Sequence, residues 1–376
     1  MNVFSLPKNL QEFRRGRGIT QEELADFIGV TKASVSKWEN GQSLPDILLL
    51  PQLAAYFDVS VDDLLGYQPQ LSTEQIRKYY HDLAADFAEL PFEQVMDKCL
   101  VLVKKYYSCY SFLLQISVLW LNHFSLAQSP ERQSEVLEQA AELCLRILSG
   151  SRDIGLCNDA VSIKAVIDLQ QGRPQDVIDS MEQLLDPRRF TSQSDAVLIQ
   201  AYKAAGDISK ADSYAQICLY NHLLSLVADA TQLLLLHPED LNLCEETVRR
   251  ISQVNQAFSF DQLNPNTAAA FYFYAAVVYA GHRQPEKVFQ YLWKYAGLTR
   301  SLLDSDILLH GDSYFNCLDS WFLESDLGAE AVRNKKLVRG SAIQALDHPS
   351  FAPLSETKEF RQIRNFLEKE GGHNGY

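Results

Sequence analysis

Two lysines, Lys32 and Lys37, stand five residues apart in the stretch GVTKASVSKWENGQSLP, which covers residues 29–45. Their ammonium groups can bind phosphates or donate hydrogen bonds to other acceptor atoms. For a lone pair of lysines, a solvated helix face is the ordinary explanation. The residues around the two lysines must therefore decide between binding and simple solvation.

The rest of the sequence shows no recognisable catalytic or metal-binding pattern. The eight histidines form no H-E-x-x-H or comparable spacing, and neither a glycine-rich phosphate loop nor a G-x-S-x-G elbow is present. The seven cysteines include no C-x-x-C pair, which predicts reduced and mostly buried thiols. We therefore expect neither enzymatic activity nor a metal or cofactor.

Length and charge set further limits. The chain has 376 residues, too many for one ordinary domain, and its net charge is −14. Only −3 of that charge falls in residues 1–66, with six basic and nine acidic side chains, so an anionic partner remains compatible with this part. The N-terminus shows no signal-peptide pattern, and the longest apolar run (residues 268–280) is shorter than the ~20 residues that span a bilayer. We expect a cytoplasmic protein without a membrane segment.

Apolar residues recur at helical spacing almost throughout, and alternating strand patterns are nearly absent, so we predict an all-α fold. The first 66 residues contain signals for five short helices. The first predicted helix runs from Pro7 to about Arg15. The second begins after a Thr20 cap, with Glu23 three residues on, and ends at Gly29; the third begins after a Thr31 cap and ends at Asn40-Gly41. The fourth runs from Asp46 to Tyr56, and the fifth begins after a Ser60 cap.

Three constraints fall within QEELADFIGVTKASVSKWEN, residues 21–40. Ala25 is small where a second helix must cross closely, Gly29 occupies a turn that favours a positive φ, and Val35 is the apolar anchor of the next helix. This spacing is typical of a helix-turn-helix. The whole stretch from Pro7 to Leu65 resembles the phage-repressor and Cro type of helix-turn-helix domain, the XRE family.

The resemblance implies that Lys32 to Trp38 form a recognition helix in the DNA major groove. With Val35 and Trp38 on the inner side, the opposite face can read guanine acceptors, thymine methyl groups or phosphates. The family also joins the positions of Arg14 and Glu39 in a structural ion pair. The residues expected to contact double-stranded DNA are Gln21, Thr31, Lys32, Ala33, Ser36, Lys37 and Asn40.

Beyond residue 73 the sequence repeats itself. Residues 164–185 align with residues 198–219 at a lag of 34, so that Gly172 meets Gly206, and a further copy contains Gly281. The pattern resembles the tetratricopeptide repeat and predicts a right-handed α-solenoid of degenerate helical hairpins with a concave inner surface. The predicted division is a DNA-binding domain (1–66), a linker (67–73), a repeat domain (74–340), and a capping segment with a polar tail (341–376).

This architecture resembles the peptide-sensing regulators of Gram-positive bacteria. The resemblance implies a homodimer that binds a palindromic operator and responds to a short peptide. The alternatives are repeats that bind a partner protein or serve only oligomerisation, and polar side chains that are merely solvated. The residues expected on the inner, effector-binding surface are Asn158, Asp159, Ser162, Gln193, Gln200 and Lys203, and Asn122, Asn221 and Asn316 lie in similar helical surroundings.

Overall fold

The computed structural model describes residues 5–67, 70–181, 194–304 and 309–369. Gln193 and the polar tail after residue 369 lie outside the described residues. Helices and turns, without strands, make up the described part, as the sequence predicts. The chain divides into two compact units, Met1–Ser72 with Leu102–Phe112 and Thr73–Val101 with Leu113–Tyr376. The predicted domain limits at residues 66, 73 and 340 stay predictions.

The first unit begins with the helices of the predicted helix-turn-helix domain. Within residues 5–67 they are α1 (Leu6–Gly16), α2 (Gln21–Ile28), α3 (Lys32–Glu39), α4 (Leu50–Phe57) and α5 (Val61–Leu65), with a 3-10 turn at Ile47–Leu49 before α4.

The predicted starts and stops of α1, α2, α3 and α5 are confirmed to within about one residue. The predicted start of α4 at Asp46 was wrong, because Asp46 caps the 3-10 turn and α4 begins at Leu50. The Thr20 hydroxyl accepts a hydrogen bond from the Glu23 amide, and the Glu23 carboxylate accepts one from the Thr20 amide, which forms a capping box. The Thr31 hydroxyl caps α3 by accepting a hydrogen bond from the Ser34 amide. Gly29 ends α2 with φ +77°, a conformation in which a residue with a Cβ is strained. These local interactions fix the angle at which α3 leaves α2.

A small apolar core holds the domain together. Ala25 is 1% exposed and Val35 is fully buried, which matches their predicted places where α2 and α3 cross. The Ser5 amide donates to the Leu65 carbonyl at 2.9 Å, so α1 and α5 are joined at the ends of the domain. The buried core residues are Leu6, Leu10, Leu24, Ala25, Ile28, Val35, Trp38, Leu53, Ala54, Phe57 and Leu64.

The remaining described helices belong mainly to the second unit, although α7 ends and α8 begins in the first. They are α6 (Thr73–Glu89), α7 (Phe92–Lys105), α8 (Tyr110–His123), α9 (Pro130–Gly150), α10 (Ile154–Gln170), α11 (Pro174–Met181), α12 (Ser194–Ala204), α13 (Ile208–Leu236), α14 (Leu241–Phe258), α15 (Phe260–Leu263), α16 (Pro265–Gly281), α17 (Pro285–Asp304), α18 (Leu318–Glu324), α19 (Lys335–Ala345) and α20 (Lys358–Glu368).

Consecutive helices of the second unit pack as hairpins at the predicted repeats: α10 with α11, α12 with α13, and α16 with α17. Helix α9 also packs against α10. The handedness of the solenoid stays a prediction. The seven cysteines are free thiols, and Cys99, Cys109, Cys144 and Cys244 are buried.

Three hairpin turns share one hydrogen-bond pattern. The amides of Arg173, Asp207 and Gln284 each donate to a carbonyl five residues earlier, at 2.8–3.0 Å, as in a Schellman motif. Gly172 and Gly206 take the left-handed position of the first two turns, with φ +69° and +83°. In the third turn Arg283 takes this position, with φ +55°. Gly281 ends α16 instead, so the sequence alignment of the third copy was wrong by two residues.

Side chains of helix α6 form hydrogen bonds to the backbone of a segment that lies about 250 residues later in the chain. The Arg77 guanidinium donates to the carbonyls of Leu323 and Ser325 at 2.8 and 2.6 Å. The Tyr80 hydroxyl donates to the Val332 carbonyl at 3.2 Å. The first helix of the second unit is therefore bound to the residues that precede α19.

Helix α13 is, among the described residues, long and apolar enough to cross a bilayer by length and composition. Charged and polar residues interrupt the apolar pattern of residues 208–236, so the sequence contains no continuous apolar run of that length there. Core helices of soluble proteins have the same length and composition. Here α13 packs against α12, α14 and α16 and buries Tyr220, Leu223 and Val227.

Candidate nucleic-acid interface

Helix α3 presents two different faces. Val35 and Trp38 are 0% and 5% exposed and pack into the core of the domain. Lys32, Ala33 and Lys37 are exposed on the other side. The structure therefore brings together the two lysines and the alanine of the predicted recognition face.

The two lysines differ in their contacts. The Lys32 ammonium lies 3.2 Å from a Glu22 carboxylate oxygen, and both side chains are well exposed, 60% and 67%. An exposed pair of this kind contributes little to stability, so the ammonium can exchange Glu22 for a stronger anion. Within the described part of the chain, Lys37 has no ion pair, and its own carbonyl accepts from the Gln42 amide at 2.9 Å. Lys37 is therefore ready for an external acceptor.

Small polar groups frame the two ends of α3. The Thr31 hydroxyl lies 2.9 Å from the Ser34 hydroxyl while it caps the helix. At the other end, the Asn40 amide donates to the Ser36 hydroxyl at 3.4 Å. Thr31 and Asn40 are exposed and Ser36 is half-buried. All three keep further hydrogen-bonding capacity, since a hydroxyl and an amide each have more than one site.

Gln21, predicted to contact DNA, also forms a hydrogen bond inside the domain. Its amide nitrogen donates to a Glu39 carboxylate oxygen at 2.9 Å. One of its two amide N–H groups is thus used because the buried carboxylate requires donors. The second N–H group and the backbone amides at the start of α2 remain for a phosphate.

Arg14 and Glu39 form the ion pair that the family resemblance implies. The Nε and Nη2 atoms of Arg14 donate to the two carboxylate oxygens of Glu39 at 2.6 and 2.9 Å, and Nη1 donates to the Ile19 carbonyl at 2.7 Å. The Glu39 side chain is fully buried. Burial alone raises the pKa of Glu39, but the hydrogen bonds from Arg14 and Gln21 outweigh it and lower that pKa. The pair is structural, because little of it reaches the surface.

The predicted effector-binding residues lie on two helices of the second unit. Asn158, Asp159 and Ser162 are exposed on α10, and the Ser162 hydroxyl donates to the Asn158 carbonyl at 3.0 Å. Although Asp159 is exposed, neighbouring atoms partly exclude water from its carboxylate, and this partial desolvation, followed by the charges of Asp326 and Asp153, raises its pKa. Gln200 and Lys203 are exposed on α12. Gln193 lies outside the described residues.

Comparison with known proteins gives matches at the N-terminal end. A family model described as helix-turn-helix matches residues 10–64. The transcriptional activator BcrR of Enterococcus faecalis is 38% identical over 59 residues, which are 16% of this chain and 29% of BcrR. The SPbeta prophage-derived regulator YonR of Bacillus subtilis is 31% identical over 100 residues, 26% of this chain and 93% of YonR. The chain thus spans nearly all of YonR but less than a third of BcrR.

One solved structure aligns over almost the whole chain. It is PlcR of Bacillus thuringiensis in complex with the peptide PapR7 and DNA, with 14% identity, 97% of this chain and 99% of that chain covered, and a TM-score of 0.21. A TM-score this low supports no conclusion about fold or ligand. The family assignment comes from the match to YonR and the helix-turn-helix model, which agree with the geometry of α2 and α3. The chain therefore belongs to the helix-turn-helix family of transcriptional regulators, of the XRE type.

Proposed function

We propose that this regulator reads its operator with the exposed face of α3. The exposure of Lys32, Ala33 and Lys37, opposite the buried Val35 and Trp38, is the observation that carries the proposal. A lysine can donate to the O6 and N7 acceptors of guanine, and an alanine methyl group can contact the methyl group of thymine. The remaining polar groups, on Gln21, Thr31, Ser36 and Asn40, contact phosphates or adjacent bases and fix the orientation of the helix.

A selection from random-sequence DNA duplexes tests this proposal and identifies the operator at the same time. The wild-type chain is expected to enrich one sequence, and Lys32→Ala combined with Lys37→Ala is expected to bind it at least tenfold more weakly. Each lost phosphate contact should also reduce the slope of log K against log salt by about 1. Equal affinity of the double variant would refute the role of α3.

Lys8→Ala is the matched control. Lys8 is an exposed lysine on α1, and its ion pair among the described residues is a long contact to Glu12, at 3.8 Å. Its loss removes one positive charge from the same domain, as Lys32→Ala or Lys37→Ala alone does, but leaves α3 intact. Operator affinity should therefore stay close to that of the wild type. A loss equal to that of either single α3 variant would show that net charge, not the α3 face, sets the affinity.

The regulator acts as a homodimer in the cytoplasm and binds a palindromic operator. A single recognition helix contacts only a few base pairs, so two copies give useful specificity when their half-sites lie about one helical turn apart, ~34 Å. The selected sequence should then contain two inverted half-sites at that spacing. Sedimentation of the full chain bound to this duplex should give two chains per duplex, and a one-to-one complex would contradict the proposal.

The helical hairpins of the second unit sense an effector, for which a short peptide is the best candidate. Support comes from the repeat pattern and from the exposed polar side chains of α10 and α12, since amides and charges pair well with a peptide backbone. The alternative is a repeat region that binds a partner protein or only joins two subunits. Culture-medium fractions that change operator affinity would support sensing, and their complete lack of effect would favour the alternative.

A further inference from the structure

The second unit contains a cavity of about 550 Å³. It lies between α16, α17 and α19 and is also lined by residues of α8, α13 and the segment before α19. Its volume falls within the range of pockets that hold small ligands, ~300–1,000 Å³. Aliphatic side chains form much of the wall, among them Leu224, Ala269, Leu302, Leu309 and Val338.

One charged group in this wall lacks a partner. Arg333 is half-buried, its Nε atom is inaccessible to solvent, and that atom has no hydrogen-bond acceptor. Within the described residues, Arg333 makes no ion pair. Burial lowers the pKa of Arg333, in contrast to the hydrogen-bonded arginines of the chain such as Arg132 and Arg173.

Other polar groups of the wall are already satisfied inside the protein. The Asn264 side chain donates to the Tyr220 hydroxyl at 2.8 Å and accepts from the Thr267 amide at 3.1 Å. The Tyr295 hydroxyl donates to the Ala342 carbonyl at 3.1 Å. These groups shape the cavity but do not need a ligand. Among the lining residues that the structure describes, the buried side-chain nitrogen or oxygen without a partner belongs to Arg333.

We propose that this cavity binds a carboxylate joined to an apolar body, with the carboxylate on the Arg333 guanidinium and the body against the aliphatic wall. A guanidinium matches a carboxylate through two parallel hydrogen bonds, and a half-buried guanidinium whose Nε has no acceptor is stabilised when a carboxylate pairs with it. Two sources share this chemistry: the C-terminus of a short apolar peptide and a small organic acid. The inference rests on the proposed effector sensing and assigns a ligand class to it.

Ligand-observed NMR on the full chain tests the site with defined probes. The probes are N-acetyl-trileucine and hexanoate, each paired with its uncharged amide at the same millimolar concentration. Tight binding requires a carboxylate on the ligand to pair with the Arg333 guanidinium. At least one acid should therefore bind at least tenfold more tightly than its amide. Equal binding of acid and amide, or no binding of either acid, would overturn the proposal. The member of the panel that binds more tightly identifies the source.

Three variants locate the binding. Arg333→Met should abolish the difference between acid and amide, whereas Arg333→Lys should retain part of it through charge alone. Lys336→Met is the matched control, because Lys336 is exposed and does not line the cavity. If the affinity difference between acid and amide is unchanged in Arg333→Met, the assignment of the site to Arg333 is refuted. If Arg333→Met does not fold, the comparison of acid with amide in the wild type still decides.

Operator affinity separates the site from the sensing function. Probe binding that requires Arg333 but leaves operator affinity unchanged would support the site and refute sensing through it. A culture-medium fraction that changes operator affinity equally in the wild type and in Arg333→Met would support sensing and overturn the assignment of the effector to this cavity.

Discussion

Arg14 and Arg333 are two arginines with little access to water, and they stand in opposite situations. In the helix-turn-helix domain, the Arg14 guanidinium holds both oxygens of the Glu39 carboxylate and one carbonyl, and its pKa is raised chiefly by the hydrogen bond to Glu39. In the second unit, the buried Nε of Arg333 has no acceptor, and burial lowers the pKa of this arginine. Within the described residues, the fold thus provides hydrogen-bond acceptors for the guanidinium of Arg14 but none for the Nε of Arg333.

The difference indicates which role each arginine has. A buried ion pair whose hydrogen bonds are all made within the chain holds the structure and is lost at high cost. A half-buried cation with an unpaired donor makes the folded state less stable, and such a cost is typical of sites that serve a ligand. Substitutions at the two positions should therefore change stability in opposite directions.

The largest effect is expected for Arg14→Met. This change leaves the Glu39 carboxylate buried without its cation, which costs about 3–5 kcal/mol of unfolding free energy. Hydrogen exchange of residues 5–66 as a function of urea measures the local stability of this domain. A loss below ~1 kcal/mol would show that the pair is not structural.

The double variant Arg14→Met with Glu39→Leu is the control for that prediction. It replaces both charges by apolar groups of similar size, which is often nearly neutral. Most of the stability lost in Arg14→Met should therefore return. A double variant as unstable as the single one would show that packing around position 14, not the uncompensated charge, causes the loss.

Acid should weaken the same pair. The pKa of Glu39 is lower in the folded domain than in the unfolded chain, where it is about 4.3. The stabilisation is therefore fully present above that unfolded value and is lost as the pH falls through the lower, folded value. Urea midpoints of the domain between neutral pH and pH 3 should decrease below about pH 4. Glu39→Gln should lack this component of the acid dependence, and an identical profile in that variant would assign it to other carboxylates.

A smaller effect of opposite sign is expected for Arg333→Met. This change removes an unpaired charge and keeps an unbranched side chain of similar length, so stability should stay constant or rise by about 1 kcal/mol. Thermal unfolding of the full chain without added ligand measures it. A destabilisation of more than ~1 kcal/mol would mean that Arg333 already has a structural partner and would end its contrast with Arg14.

The sequence predicted the first domain well because its constraints are local. The Thr20 and Thr31 caps, the positive φ of Gly29 and the burial of Ala25 and Val35 each depend on residues within one or two turns. The role of Gln21 was only partly foreseen. Its bond to Glu39 joins the start of α2 to the end of α3, 18 residues apart.

The cavity could not be predicted in this way. Its walls come from residues between 122 and 342 on several helices, and only folding brings them together. Asn122 was singled out by its surroundings and does line the cavity, but Arg333 carried no sequence signal that separates it from other arginines. The predicted polar residues on α10 and α12 follow from helix periodicity, which indicates exposure and not a partner.

The smallest effects concern backbone conformation, where a glycine and an arginine occupy the same left-handed position, which favours glycine and strains arginine. Gly206 and Arg283 occupy equivalent left-handed positions of two hairpin turns, with φ +83° and +55°. Gly206→Ala should destabilise the second unit by about 1 kcal/mol, because a Cβ is unfavourable at this positive φ, although no described atom beyond the adjacent residues would lie within 4 Å of it. Arg283→Gly should instead stabilise by ~0.5 kcal/mol, because the relief of strain exceeds the entropy that glycine loses on folding. Hydrogen exchange across both turns compares the pair, and a loss of stability in Arg283→Gly would show that the exposed Arg283 side chain stabilises its turn by more than the strain it causes.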